Sequence, residues 1–295
     1  MAAVEPGISL RGGGRVRRRK VVNRIAEAVA LVAALLAIFV LGIVVWSVAK
    51  RGAGELSWNF LTKDLPIPFS PDKGGIAPLL VGSAVLVGLA AAMAVPFGVA
   101  IALYLEEFAS PRVAPAIQLS VDLLNGLPSI VIGVFIFGVF VYGHLQNGWA
   151  GSIGLAIVML PLITRATQEV LRLVPRGYRE AALALGASRW RTVLGIILPS
   201  SLGGILTGSV LAIARAVGET APLLFVTSIY GRSVAWNPLH ALPNAPVQIF
   251  IWSESEDPAD HQRAWATALV LMLFVLITSL VARLALARTR SKLGR

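Results

Sequence analysis

The stretch Glu180–Pro199, EAALALGASRWRTVLGIILP, lies between hydrophobic segments that are each long enough to cross a bilayer. It cannot cross one itself, because it carries Glu180, Arg189 and Arg191. The whole chain has 295 residues, of which 56% are hydrophobic and 14% are charged, and this is not the composition of a soluble globular protein. We therefore expect a polar element outside the membrane, within a chain that is otherwise embedded in it.

Two short helices are predicted within this element. Pro175 is tolerated in the first turn of a helix, and Gly186 can supply the left-handed residue that ends it. Ser188 then predicts the N-terminal cap of a second helix, which we expect Pro199 to interrupt. Such a helix–turn–helix is suited to docking on a partner outside the membrane, and an amphipathic helix at the membrane surface is the alternative.

The apolar segments around this element predict the fold class, an all-α polytopic membrane protein with six transmembrane helices. Each segment has about the length that a helix needs to cross the hydrocarbon core of a bilayer. They lie near residues 25–49, 76–104, 116–142, 149–165, 202–229 and 264–286.

Positive charge is distributed unequally between the two sides of this topology. The side with both chain ends carries nineteen Lys and Arg, counting Arg165 with the polar loop, against six on the other side, with Arg215 inside a span. The positive-inside rule therefore predicts cytosolic termini and a cytosolic loop. The basic residues before Ile25 predict a tail held at anionic lipid. The net charge of +11 does not indicate nucleic-acid binding, because no basic domain with interleaved aromatic residues is present.

Two charged residues are predicted near the middle of the fifth span. Arg215 and Glu219 are four residues apart and so would share one face of a helix. A charge at this depth costs ~2.5–3.5 kcal/mol, so it must be paired or face a wet cavity. An ion pair that locks helices together and an anion site that uses the planar fork of arginine both stay open. Asp122 and Asn125 are weaker cavity candidates, and we favour an interfacial position for them.

Two motifs carry a resemblance to a known family. Glu180-Ala181-Ala182, with Gly186 and the closing Ile197-Leu198-Pro199, resembles the EAA loop of ABC-importer permeases, which docks on the ATPase subunit. Arg215–Pro222, RAVGETAP, resembles the RAxGETAP signature of phosphate-importer permeases, and the following Leu223-Leu224-Phe225 favours the A-type subunit over its C-type partner. The resemblance extends from about residue 75 to residue 288. We refer below to residues 172–199 as the EAA loop.

The resemblance implies the type I fold of ABC-importer permeases and a role as half of an ATP-driven path for inorganic phosphate. It implies four partners: a homologous C-type permease, two ATPase subunits, an extracytoplasmic phosphate-binding protein and membrane lipid. The expected location is the bacterial plasma membrane. The residues that it assigns are Arg215, Glu219, Thr220 and Arg165 for the substrate path, and Glu180, Ala181, Ala182, Gly186 and Pro199 for ATPase coupling.

The predicted organisation has four parts. These are a basic tail (1–24), a first transmembrane helix with an extracytoplasmic loop (25–74), a permease domain (75–288) that contains the EAA loop, and a C-terminal tail (289–295). The sequence contains no phosphate-binding loop of the G-x-x-x-x-G-K-[ST] type, so we expect no enzyme activity and no cofactor in this chain. We also expect no metal site, because cysteine is absent and the three histidines are scattered.

Three alternatives remain at this point. The same architecture could carry another oxyanion, such as sulfate or molybdate. A gradient-driven secondary transporter could use Asp122, Arg215 and Glu219 as a proton or ion relay. A membrane scaffold or signalling subunit would transport nothing.

Overall fold

The computed structural model describes residues 14–67 and 74–293. Predictions for residues 1–13, 68–73 and 294–295 therefore lie outside the described residues. The chain forms two compact units, residues 1–50 and 51–295. The α-helices in the described part are α1 (Gly14–Gly52), α2 (Trp58–Thr62), α3 (Ala77–Leu103), α4 (Ala114–Gly126), α5 (Ser129–Ile136), α6 (Gly148–Arg172), α7 (Arg176–Ala184), α8 (Arg189–Thr192), α9 (Leu198–Val217), α10 (Ala221–Val226), α11 (Ala245–Ser253) and α12 (Pro258–Leu293).

Five helical segments in the described residues are long and apolar enough to cross a membrane, and α4 with α5 makes a sixth if the bent pair counts as one span. This agrees with the predicted all-α fold of six spans. The helix α1 begins at Gly14, so the part of the predicted basic tail from that residue onward is helical. The apolar side chains of α1 from Ile25 to Val44 are exposed.

Helices α3, α6 and α9 pack together through small residues. A Cβ atom added to Gly98 of α3 would lie 2.9 Å from the side chain of Ile163 in α6. One added to Gly204 of α9 would lie 2.6 Å from the side chain of Val170. Glycines at such contacts let helix backbones approach closely, which is how helices associate in membranes without a hydrophobic driving force between them.

The third predicted span is not one continuous helix. Helix α4 ends at Gly126, and the segment Ser129–Val141, which is α5 with a π-helical turn after it, leaves at an angle of 98°. Leu127 is extended, with φ −70° and ψ 133°, because the ring of Pro128 disfavours the α conformation of the residue before it. The third predicted span is therefore a pair of helices bent at Leu127 and Pro128.

The fifth predicted span is also broken. Helix α9 ends at Val217, and α10 begins at Ala221 with Pro222 in its first turn. Since Pro222 has no N–H, it cannot continue the hydrogen-bond ladder of α9. The prediction of one helix over 202–229 was therefore wrong as well.

Pro199 behaves in the opposite way. It was predicted to interrupt the second helix of the EAA loop, but α8 and α9 are joined by a π-helical turn, Val193–Ile197, into one helix of 29 residues, Arg189–Val217. Pro199 lies in the first turn after the π turn, where the regular ladder of i to i−4 hydrogen bonds has already been widened. The missing donor is therefore tolerated, and the prediction of an interruption was wrong.

Candidate functional site

The predicted charge pair lies at the break between α9 and α10. Arg215 occupies the last turn of α9, and Glu219 lies beyond its end. The Arg215 Nε and Glu219 Oε1 atoms are 3.7 Å apart, which is an ion pair but too long for a hydrogen bond. The Arg215 side chain is 64% exposed and the Glu219 side chain is 15% exposed. The two residues were predicted to share one face of a continuous helix, and this was wrong because the helix ends between them.

The two helix breaks meet around a small cavity. Gly133 of α5 packs against α10, and a Cβ atom there would lie 2.7 Å from the Cα atom of Pro222. The cavity has a volume of about 200 Å³, several times the ~30 Å³ that a water molecule occupies in the liquid. Its polar lining comes from both breaks and consists of Asn125, Ser129, Arg215 and Glu219. Asn125, which we had placed at an interface, thus lines the cavity together with Arg215.

Arg165 and Thr220 are not among the residues that line this cavity. Arg165 on α6 forms an ion pair with Asp122 on α4. Arg165 lies about one helical turn after Leu162, and Asp122 lies about one helical turn before Asn125. Leu162 and Asn125 both line the cavity. Thr220 follows Glu219 directly, and its carbonyl oxygen accepts a hydrogen bond from the backbone N–H of a residue in α10.

The EAA loop folds largely as its local signals predict. Gly186 has a left-handed φ of +81° and follows the end of α7. The side-chain oxygen of Ser188 accepts a hydrogen bond of 3.4 Å from the N–H of Arg191 and caps α8. Both predictions are confirmed. Pro175 lies at the N-cap position of α7, one residue before the first turn in which we expected it.

One face of the EAA loop is open in this chain. Glu180, Ala181 and Gly186 are exposed, whereas Ala182 is buried. Leu185 is also exposed, at the end of α7. Tyr178 and Leu183 of the same helix are exposed as well. A group of exposed apolar side chains, unlike a single one, is typical of a surface that another protein covers.

The other face of the EAA loop is held to the membrane domain by Arg179. Its NH2 group donates to Glu107 Oε1 at 2.6 Å, and its Nε group donates to the same carboxylate at 3.1 Å. The guanidinium group also donates to the carbonyl oxygens of Leu171 and Val174, at the C-terminal end of α6. The hydrogen bond to Glu107 raises the pKa of Arg179, so this residue stays charged at any physiological pH.

Glu107 belongs to a π-helical turn, Tyr104–Phe108, that extends α3. The neighbouring Glu106 accepts hydrogen bonds from Arg172 at 2.7 and 2.9 Å. The ring of Phe108 packs on Trp190 of α8, with the ring centroids 4.6 Å apart. No role was predicted for this turn, although two adjacent glutamates at the end of an apolar span are a signal that could have indicated a contact with arginines.

A cavity of about 550 Å³ lies between this turn and the EAA loop. It is lined mostly by charged side chains from both elements, so it is a polar groove rather than an apolar binding pocket. The charged lining residues are Glu106, Glu107, Arg172, Arg176, Arg179, Glu180 and Arg189.

Comparison with known proteins gives consistent matches. Residues 94–291 match the family described as binding-protein-dependent transport system inner membrane component. The phosphate transport system permease protein PstA of Haemophilus influenzae is 35% identical, covering 90% of this chain and 94% of its own. The protein of the same name from Yersinia pestis is 36% identical, covering 93% of this chain and 92% of its own.

Two solved structures share the fold. A chain of a bacterial alginate ABC transporter is 13% identical with a TM-score of 0.64, covering 91% of this chain and 96% of its own. A chain of an amino acid ABC transporter with histidines is 20% identical with a TM-score of 0.56, covering 72% of this chain and 92% of its own.

Proposed function

Because the chain belongs to the binding-protein-dependent transport system inner membrane components, as a permease subunit of an ABC importer, we propose that its cargo is inorganic phosphate. Permease subunits of this family are multi-pass inner-membrane proteins without enzyme activity or cofactor. ATP binds a separate ATPase partner, and a binding protein delivers the substrate. The alternatives of a gradient-driven transporter and of a scaffold are thereby set aside.

The observation that carries the phosphate proposal is that Arg215 is exposed and only loosely paired. Its side chain is largely exposed beside the cavity at the helix breaks, and its pairing with Glu219 is loose at 3.7 Å. A planar guanidinium group can donate two parallel hydrogen bonds to a tetrahedral oxyanion. Glu219 would hold the arginine in place without substrate, and an incoming anion would replace it. The relatives named as phosphate transport permeases support this choice of anion.

The proposal extends to the partner that completes the path. An exposed arginine inside a membrane domain is costly unless it faces water or protein. We assign this face to a second, C-type permease subunit, so that Arg215, Glu219, Thr220 and Arg165 contribute one half of the path. Two ATPase subunits would complete the assembly.

The exposed face of the EAA loop is the proposed ATPase contact. Glu180, Ala181 and Gly186 lie on this face, whereas Ala182 is buried behind it. Pro199, the last residue assigned to ATPase coupling, is exposed in the first turn of α9. The orientation proposed from the charge distribution places the loop and both termini in the cytosol. The permease domain proposed for 75–288 then reaches the ATPase on the cytosolic side.

Uptake of radiolabelled phosphate tests the proposal directly. Cells that lack this chain, but retain its partners, are compared with the same cells after the chain is restored. We expect restored uptake that excess unlabelled phosphate abolishes and that equal concentrations of sulfate or molybdate leave unchanged. Restored uptake of sulfate or molybdate, without phosphate uptake, would contradict the proposed cargo.

A further inference from the structure

Six polar side chains form a continuous hydrogen-bonded series between α4, α6 and the π turn after α3. We call this series the polar ladder. Gln118 donates to Asp122 at 3.2 Å, and Gln168 donates to Gln118 at 2.9 Å. Gln168 also donates to Glu106 at 3.1 Å. From one end to the other, the polar ladder consists of Arg165, Asp122, Gln118, Gln168, Glu106 and Arg172.

Gln168 is the centre of the polar ladder. The residue is only 2% exposed, and its single Nε2 group donates to one partner on each side. Its Oε1 atom has no hydrogen-bond partner among the described residues. A buried acceptor without a partner is unfavourable, so an apolar residue would serve packing between these helices better. The amide is therefore not explained by stability alone.

The two ends of the polar ladder reach the two functional regions. At one end, Arg165 and Asp122 lie one helical turn from Leu162 and Asn125, which line the Arg215 cavity. At the other end, Glu106 is followed directly by the residue that holds Arg179 of the EAA loop.

We propose that Gln168 is a positioning residue that couples the EAA loop to the anion site through the polar ladder. This inference rests on the proposed function for the identity of the anion. Because one amide nitrogen bridges α4 and the π turn after α3, neither element can shift along α6 without breaking a hydrogen bond. Docking of the ATPase at the EAA loop and binding of an anion in the cavity lined by Arg215 then favour the same arrangement of α4, α6 and the π turn after α3.

The test uses the whole transporter, with its ATPase, second permease and binding protein, in proteoliposomes. Gln168→Leu removes both hydrogen bonds at nearly constant volume. Gln248→Leu is the matched control, because Gln248 accepts a hydrogen bond of 3.0 Å from Tyr230 outside the polar ladder. ATP hydrolysis is measured without substrate and with phosphate-loaded binding protein.

We expect Gln168→Leu to raise hydrolysis without substrate and to lower the stimulation by phosphate-loaded binding protein about fivefold or more, the smallest change typical of a coupling between sites. Gln248→Leu should leave both rates as in the wild type. If Gln168→Leu reduces the amount of assembled complex, Gln118→Leu is used instead. It breaks the polar ladder at a half-buried residue and should give the same uncoupling.

Equal rates for the Gln168→Leu and Gln248→Leu complexes, in both conditions, would overturn the proposal. A merely structural role would lower the melting temperature or the yield of Gln168→Leu without changing the stimulation ratio. A wild-type complex that phosphate-loaded binding protein does not stimulate would contradict the proposed cargo instead. The rates without substrate would still decide on the polar ladder in that case.

Discussion

Two arginine–glutamate pairs in this protein are built in opposite ways. Arg179 donates to Glu107 through two nitrogen atoms, at 2.6 and 3.1 Å, and to two backbone carbonyl groups. The two side chains are 25% and 10% exposed. Arg215 approaches Glu219 only to 3.7 Å, and its side chain is 64% exposed.

The difference shows that pairing alone does not indicate what a charged residue does. A guanidinium group that donates most of its N–H groups to carboxylate and carbonyl oxygens fixes two elements together. A guanidinium group held by one distant carboxylate keeps donors available for a ligand. We therefore expect Arg179 to hold the EAA loop to the membrane domain, and Arg215 to be available to a ligand.

The largest effect is expected where the fixed pair is broken. Arg179→Ala leaves Glu107 poorly solvated and removes one donor each from the carbonyl oxygens of Leu171 and Val174. We expect a cost of roughly 3 kcal/mol, the lower end of the range for buried pairs, because Arg179 is a quarter exposed. We expect most of the assembled complex to be lost, which quantitative immunoblotting of membranes and co-purification of the ATPase would show.

The neighbouring arginine provides the control for that change. Arg176 is exposed and lines the polar groove. Arg176→Ala should leave the amount of assembled complex nearly unchanged. Similar losses for Arg176→Ala and Arg179→Ala would show that net charge, rather than the fixed pair, is what matters.

The next largest effect is expected on phosphate uptake rather than on the amount of protein in the membrane. Arg215→Gln removes a loose pair in which the arginine is 64% exposed and Glu219 is 15% exposed, so membrane levels should fall much less than after Arg179→Ala. Phosphate uptake should fall about 10- to 100-fold, the value of one or two hydrogen bonds to a charged group. Arg215→Lys separates charge from geometry, because lysine retains the charge without the planar fork.

A double variant sharpens this prediction. If the pair only locks helices, Arg215→Gln combined with Glu219→Gln should restore transport, because no charge is left uncompensated. If Arg215 meets the anion, the double variant should stay as inactive as Arg215→Gln. Recovery of uptake in the double variant would remove Arg215 from the substrate path.

A smaller effect is expected at the turn of the EAA loop. Gly186 has φ +81°, and a Cβ atom there would meet nothing within 4 Å in this chain. Gly186→Ala therefore adds only the strain of a left-handed residue, ~1 kcal/mol or about fivefold in an equilibrium. Gly186→Leu adds bulk at the proposed ATPase contact and should reduce coupled uptake further.

Gly177 is the control for Gly186, since it also has open space around it but lies inside α7. Gly177→Ala should be neutral or slightly stabilising, because alanine favours a helix. Equal uptake by all three glycine variants, at equal assembly, would argue against a contact at this turn.

The smallest effect on activity is expected from single cysteine substitutions in exposed loops. Their labelling tests on which side of the membrane the EAA loop lies. The chain has no native cysteine, so the background is clean. Leu145, Trp236 and Leu185 are exposed. In intact cells an impermeant thiol reagent should label Leu145→Cys and Trp236→Cys but spare Leu185→Cys, which should react after solubilisation. Labelling of Leu185→Cys from outside would reverse the orientation.

Local signals in the sequence were sufficient for the EAA loop and insufficient for the spans. Gly186 acts through its own backbone and Ser188 through a hydrogen bond to a residue three positions away, so their roles could be predicted without tertiary information. The breaks before Pro128 and Pro222 were missed because apolar segments flank each break and a span was assumed to be one helix, although hydropathy falls locally at Asn125 and at Glu219. At Pro199 a helix break was predicted where the helix continues, because a π turn leaves no hydropathy signal.

The candidate site was predicted in its residues but not in its arrangement. Arg215 and Glu219 could be named because charges in an apolar segment are conspicuous. The partner of Arg165 could not be named from the sequence, because Asp122 lies 43 positions away. Gln168 was overlooked for the same reason, although its spacing from Arg165 and Arg172 places three polar side chains on one face of α6.

The unbroken helix Arg189–Val217 has a mechanical consequence. Its 29 residues span about 43 Å at ~1.5 Å per residue, with the proposed ATPase contact at one end and Arg215 at the other. A tilt of about 10° around one end would sweep the other through roughly 7 Å, more than one pitch of the helix itself. If the proposed ATPase contact tilts this helix, we expect the movement to reach Arg215 as a displacement of that size, because no loop interrupts the helix between the two ends.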